Sequence, residues 1–103
     1  MKLHDIAHAR TGDKGDTSNI SLIAYDPKDF QMLRTRVTPE RVAAHFATFP
    51  ADNITRYELP QLNALNFVIR NALSGGVTRS LAQDAHGKCL ASVLLTMEIG
   101  PER

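Results

Sequence analysis

The segment from Arg10 to Asn19 has the side chains best suited to chemistry. It reads RTGDKGDTSN. Two glycines three residues apart allow positive φ and a run of exposed amides, which is how an anion-binding nest forms. We therefore expect a phosphate or carboxylate to bind here; the spacing is not that of a Walker A loop, and the segment precedes a strand instead of a helix. The predicted ligand-binding residues of this segment are Arg10, Gly12, Asp13, Lys14, Gly15, Asp16, Thr17 and Asn19.

The carboxylates of Asp13 and Asp16 would repel an anion unless something neutralises them. Three interpretations stay open: they pair with Lys14, Arg10 or Arg79, they bind a hard cation, or they cap a tight turn. An enzyme of the lyase or hydratase kind is an alternative function, with Asp13 or Asp16 as general base and Lys14 or Arg79 as electrostatic stabiliser.

A second glycine-containing segment, SGGVTRS over residues 74–80, is predicted to end a helix and begin a strand. Arg79 would reach the acidic loop, so that the two segments form one pocket with positive groups at its edge. On the preceding predicted helix, Asn66 lies opposite the leucine stripe, where asparagine is a poor helix former and indicates a ligand or subunit contact. These segments add Asn66, Gly75, Gly76, Thr78 and Arg79 to the predicted ligand-binding set.

The histidines and the single cysteine do not form a recognisable catalytic or metal site. His4 and His8 are four residues apart on a predicted strand, about 13 Å, too far to share a metal ion. His45 is expected at the edge of the core, and His86 in a turn. Cys89 is expected to be packed, because no activating partner is evident. We predict neither a metal nor a cofactor and assign no catalytic residue.

Composition favours one soluble domain over residues 1–103. The chain has 12 basic and 11 acidic residues, with a formal net charge of +1. Nucleic-acid and polybasic membrane binding are not expected, because both need clustered Lys and Arg. The start lacks the apolar core of a signal peptide, and no apolar run approaches the ~18–20 residues of a membrane span. With a single cysteine, these features predict a cytoplasmic protein.

Periodicity predicts strands and helices in mixed order. Strands are expected over residues 3–11, 19–25 and 54–59, and helices beginning at Asp26-Pro27 and Thr38-Pro39. Leu62, Leu65 and Ile69 predict a third helix that Gly75-Gly76 ends, and residues 77–83 and 88–99 predict a final hairpin. This order predicts an α+β, ferredoxin-like two-layer sandwich with about five mostly antiparallel strands and helices on one face. The uncovered face would need cover, which predicts a homo-oligomer.

Several spaced blocks resemble a known family. They are LxDIAHARTGDKGDTSN over residues 3–19, RYELP over 56–60, LxALNFV over 62–68 and GGVTRSL over 75–81, where x marks a position outside the resemblance. Together they resemble the small C-terminal domain of AtuA-like (acyclic terpene utilisation) proteins. The chain departs from that pattern at Thr11, where serine is expected, and in lacking the large N-terminal domain.

The resemblance implies a ferredoxin-like fold and a setting in bacterial acyl-CoA catabolism of terpenoid or branched acids. It supplies no reaction and no catalytic residue. We therefore predict an accessory domain or subunit that binds an anionic small molecule, such as an acyl-CoA or a carboxylate, or a larger AtuA-type partner. The small enzyme and an oligomerisation module without ligand are the alternatives. RNA binding is not expected, because the six aromatic residues are scattered.

Overall fold

The computed structural model describes residues 1–47, 49–71 and 89–100. Within them, one antiparallel sheet of four strands in the order β1-β2-β4-β3 packs against three α-helices. The strands are β1 (Ala7–Lys14), β2 (Thr17–Ala24), β3 (Ile54–Leu59) and β4 (Ala64–Ile69). The helices are α1 (Phe30–Arg36), α2 (Pro39–Phe46) and α3 (Cys89–Leu95). Short 3₁₀ turns cover Leu3–Asp5, Pro27–Asp29, Ala51–Asn53 and Pro60–Leu62.

The β1–β2 hairpin closes through a turn of only two residues. Lys14 pairs with Thr17, so Gly15 and Asp16 form the loop. Gly15 has a φ of 62°, and a two-residue loop with glycine at its first position matches the right-handed twist of the strands. In β2 every second side chain is buried, which places one side of the hairpin against the helices.

Helices α1 and α2 follow local start signals in the sequence. The Asp26 carboxylate accepts a hydrogen bond from the backbone N–H of Lys28 at 3.0 Å, and the Thr38 hydroxyl accepts one from that of Arg41 at 3.2 Å. A proline follows each capping residue. The predicted start at Thr38-Pro39 is therefore confirmed, whereas Asp26-Pro27 begins the 3₁₀ turn Pro27–Asp29, which leads directly into α1 at Phe30.

The helices cover one side of the sheet and enclose the core. Alternate residues of the two central strands, β2 and β4, contribute its sheet side, and Phe67 is among its largest fully buried side chains. Leu33 of α1 and Leu94 of α3 are also fully buried. Within the described ranges, no helix has the length and apolar character needed to cross a bilayer. The predicted α+β two-layer arrangement is confirmed.

The predicted third helix is wrong within the described residues, because Ala64–Ile69 form β4. Leu62, Leu65 and Ile69 fit helical spacing, but Leu65, Phe67 and Ile69 also recur at every second position and are all buried. Pairing with β2 on one side and β3 on the other decides between the two patterns. The described part of the sheet therefore has four strands, one fewer than predicted, and Asn66 is in a strand.

The prediction of a strand over residues 88–99 is also wrong, because Cys89–Leu95 is helical. Leu90, Ala91 and Leu94 are buried at helical spacing on the side that faces β1. The strand predicted over residues 3–11 begins at Ala7 and continues to Lys14. The other half of the predicted hairpin, residues 77–83, lies outside the described residues.

Candidate functional site

The face of the sheet away from the helices carries most of the described residues that sequence reasoning selected. Register and burial assign alternate side chains of each strand to this side. We call it the open face. It consists of His8, Arg10, Gly12 and Lys14 of β1, Thr17, Asn19, Ser21 and Ile23 of β2, Ala64, Asn66 and Val68 of β4, and Thr55, Tyr57 and Leu59 of β3.

Arg10 and Asn66 lie in one row across the open face, although they are 56 positions apart in the sequence. Arg10 pairs with Ser21, Ser21 with Asn66, and Asn66 with Tyr57. The Asn66 side-chain amide donates a hydrogen bond to the Ser21 hydroxyl at 3.0 Å. Adjacent strands are about 4.8 Å apart, so this row spans about 14 Å. The sheet thus joins two predicted site residues that were expected on different elements.

The guanidinium of Arg10 is exposed, and among the described residues it has neither a hydrogen-bond acceptor nor an ion-pair partner. The other arginine of the described strands is engaged: Arg56 donates to the backbone carbonyls of Arg34 and Val37. The Arg70 side chain, next to the end of β4, donates to the Thr55 hydroxyl at 2.7 Å. Arg10 is therefore available to an anion.

A groove of about 410 Å³ lies beside Arg10 on the open face. The ring of Tyr25 stacks on His8 at this end of the sheet, with 5.3 Å between ring centroids. Leu62 is 64% exposed and Leu59 37%, so the groove has an apolar wall in contact with water. We call this cavity the Arg10 groove; it is lined by His8, Arg10, Ser21, Ile23, Leu59, Leu62 and Ala64.

The charge of the open face is entirely positive in the strands that the structure describes. Arg10 and Lys14 are its formal cations, and no aspartate or glutamate occupies any of its positions. The carboxylates of β1 and β3, Asp13 and Glu58, point to the helix side because adjacent strand residues face opposite ways. A surface with cations and no carboxylate favours anionic ligands.

The nest of amides predicted for the segment from Arg10 to Asn19 is wrong. Gly12 is a ladder residue of β1 paired with Asn19, and only Gly15 of the two glycines has positive φ. A Cβ at position 12 would lie 3.1 Å from the Asn19 amide nitrogen, so Gly12 makes room for that side chain. Because strand pairing uses backbone amides alternately, consecutive amides cannot converge on one anion here.

The two aspartates of this segment differ in their surroundings. Asp13 accepts a hydrogen bond from the Ser18 hydroxyl at 2.7 Å, and Ser18 is buried. Lys14 is on the opposite face, so Asp13 and Lys14 do not line one pocket. Asp16 is exposed in the turn and has an interaction partner. Within the described residues, no cluster of three His, Cys, Asp or Glu side chains is arranged to hold a metal ion.

Of the predictions for the histidines, that for His45 is confirmed and that for His4 is wrong. His45 lies at the core edge as predicted, with Nε2 at 2.7 Å from the Val93 carbonyl oxygen. His4 is in the 3₁₀ turn and not on a strand with His8. The residues predicted to form the other half of a joint pocket, Gly75, Gly76, Thr78 and Arg79, lie outside the described residues, as does His86.

Sequence reasoning missed the apolar half of the Arg10 groove. Leu59 belongs to this half, and because Tyr57 and Leu59 alternate with Arg56 and Glu58, a two-residue period already assigned Leu59 to the side of this strand away from its charged residues. That signal was present in the sequence. Whether Leu59 lines a groove depends on the strand register, which brings Leu59 opposite Ala64 of β4 and so close to β2.

A family model described as the AtuA ferredoxin-like domain matches residues 1–100 of the 103-residue chain. No curated protein and no solved structure matches it. The match confirms the predicted family and the ferredoxin-like fold class, to which the four-stranded antiparallel sheet with helices on one side corresponds.

Proposed function

The chain belongs to the AtuA ferredoxin-like domain family, and we propose that it is an accessory binding domain whose open face holds an anionic small molecule. The observation that carries this proposal is the exposed guanidinium of Arg10, which has no partner among the described residues and lies beside a groove of about 410 Å³. An arginine in this position offers a planar set of donors to a carboxylate or phosphate.

Charge favours an anion over a second copy of the chain on this face. Two open faces packed together would place Arg10 and Lys14 of both copies in one interface, without a carboxylate from the same strands. Like charges that lose water in this way oppose association. The oligomerisation module without ligand is therefore the weaker alternative for this face.

Geometry also disfavours the small lyase or hydratase. A general base must lie in a concave, partly desolvated site together with its electrostatic partner. Asp13 is exposed, bonded to Ser18, and on the face opposite Lys14. Asp16 is exposed at the tip of the hairpin. Binding without catalysis needs only the cations and the groove.

The resemblance to AtuA-like proteins extends the proposal to a metabolic setting. We place the domain in the cytoplasm beside enzymes of acyl-CoA breakdown of terpenoid or branched acids, where acyl-CoAs and carboxylates are abundant anions. A larger AtuA-type protein would then be the partner to which the domain supplies its ligand site.

Calorimetric titration with an acyl-CoA and with the matching carboxylate tests the proposal. The wild-type chain is expected to bind at least one of the two, and Arg10→Gln or Lys14→Gln is expected to weaken that binding. Lys28→Gln is the matched control, because it removes one positive charge from an exposed side chain on another part of the molecule. Equal weakening by all three variants, or no binding at millimolar ligand, would contradict a site on the open face.

A further inference from the structure

The Arg10 groove combines an apolar wall with a charged end. Ile23, Leu59 and Leu62 supply aliphatic surface from β2, β3 and the turn between β3 and β4, and the largely buried Ala64 of β4 also lines the groove. Much of the Leu62 side chain contacts water. A ligand that covers this surface with its own hydrocarbon gains the free energy of removing both from water.

We propose that this groove binds a medium-length aliphatic carboxylate, the ionised unesterified acid and not its coenzyme A thioester, with the carboxylate on Arg10 and the hydrocarbon chain across Ile23 toward Leu59. This inference rests on the proposed function and names its ligand class. The occupant follows from complementarity: the apolar wall matches the chain, and the guanidinium matches the planar carboxylate through two parallel hydrogen bonds.

Ser21 strengthens the choice of a carboxylate. Its hydroxyl oxygen accepts a hydrogen bond from the Asn66 amide at 3.0 Å. A serine hydroxyl also has one proton to donate, and among the described residues no acceptor takes it. Ser21 is paired with Arg10 across β1 and β2, so this proton and the guanidinium are available at the same end of the groove.

The length of the groove limits the length of the hydrocarbon chain that a bound ligand can have. The row His8, Ile23, Ala64 and Leu59 crosses all four strands. Three strand spacings make about 14 Å, which corresponds to an extended chain of about ten carbons. A coenzyme A thioester has no carboxylate at the end of its acyl chain, and its phosphates are remote from that end. Arg10, at the groove itself, therefore favours the unesterified carboxylate.

Calorimetry with butanoate, hexanoate, octanoate, decanoate and decanoyl-CoA tests this inference. A methylene fully removed from water adds about fourfold in affinity; in a groove open to solvent we expect about twofold per methylene, or about sixtyfold from butanoate to decanoate. Arg10→Gln is expected to weaken decanoate binding about tenfold, since it removes a charged hydrogen-bond donor. Leu62→Ser is expected to reduce the dependence of affinity on the ligand's chain length, because it removes part of the apolar wall.

Tyr57→Ser is the matched control, because Tyr57 is exposed on the same face and does not line the groove. It is expected to leave the chain-length series unchanged. Leu59→Ser provides a second test of the apolar wall should Leu62→Ser fail to fold by circular dichroism. Equal affinities for butanoate and decanoate, or binding of decanoyl-CoA without decanoate, would overturn this inference and leave the proposed function standing. Failure of every carboxylate and of the CoA ester to bind would overturn the proposed function itself.

Discussion

Arg56 joins the sheet to the helix layer, and its replacement by methionine is expected to destabilise the protein. Its guanidinium donates hydrogen bonds to the carbonyl oxygens of Arg34 at 2.7 Å and Val37 at 2.9 Å, where α1 ends. The Arg56 side chain is only 16% exposed. These carbonyls lack partners within the helix, so Arg56 serves as a C-terminal cap from a neighbouring strand.

The size of the effect follows from these two bonds. A hydrogen bond from a charged donor contributes about 1.5 kcal/mol at the lower end of its range, so two contribute about 3 kcal/mol. Because the site is partly exposed, water can hydrogen-bond to these carbonyls in the variant and restore part of this energy. We therefore expect Arg56→Met to lower the free energy of unfolding by about 2 kcal/mol. For a domain of this size, the loss corresponds to a fall in melting temperature of about 10 °C.

Urea unfolding followed by circular dichroism measures the loss. The matched control is Arg34→Met: the Arg34 side chain is 42% exposed and lies 3.7 Å from the Glu58 carboxylate, so a change of only about 0.5 kcal/mol is expected. A loss below about 1 kcal/mol for Arg56→Met, or an equal loss for both variants, would refute the role assigned to these partly buried hydrogen bonds.

Two further predictions concern stability. The N-terminal ammonium holds the pKa of Glu98 below its ordinary value of 4.5. This ion pair therefore stabilises the fold fully at pH values above 4.5, and the stabilisation is lost as acid protonates the Glu98 carboxylate of the folded protein. The difference in melting temperature between wild type and Glu98→Gln is expected to narrow on acidification from pH 5; a difference that widens would contradict this. Gly15→Ala is expected to lose about 1 kcal/mol in urea unfolding, because alanine is strained at positive φ. Its control, Lys14→Ala, is expected to change little, and equal losses would contradict the turn geometry.

Local signals in the sequence predicted part of the fold. The capping residues Asp26 and Thr38, each followed by proline, indicated two helix starts, and alternation over residues 54–59 gave the bounds of β3. A cap or a strict two-residue period is a property of a few neighbouring residues. Such a signal can therefore be recognised in the sequence without knowledge of the tertiary contacts.

Non-local contacts decided the elements that were predicted wrongly. Leu65 and Ile69 suit either a helix or a strand, and β4 exists because both of its edges are paired. The helix from Cys89 to Leu95 contains valine and three leucines whose spacing fits both structures, and its packing against β1 determines the outcome. Local propensity is weak where a segment is largely buried.

The candidate site was likewise predicted in part, and the part that was missed depends on non-local contacts. Arg10 was selected for its place beside the glycine-containing segment and Asn66 for its position on a predicted helix that is in fact β4, and both lie on the open face. The mechanism predicted for Arg10, assistance to a nest of amides, was wrong because Gly12 is in a ladder. The apolar wall was missed because Leu59 meets Ala64 only through strand register.

The most direct test of the open-face account is a ¹⁵N NMR titration with decanoate. We expect the backbone amide signals of Ser21, Ile23 and Ala64 to shift in a saturable way, while those of α2 on the helix side stay in place. We also expect Arg10→Gln to remove most of these shifts. Saturable shifts confined to α2, or shifts of the same size in Arg10→Gln, would contradict a carboxylate site on this face of the sheet.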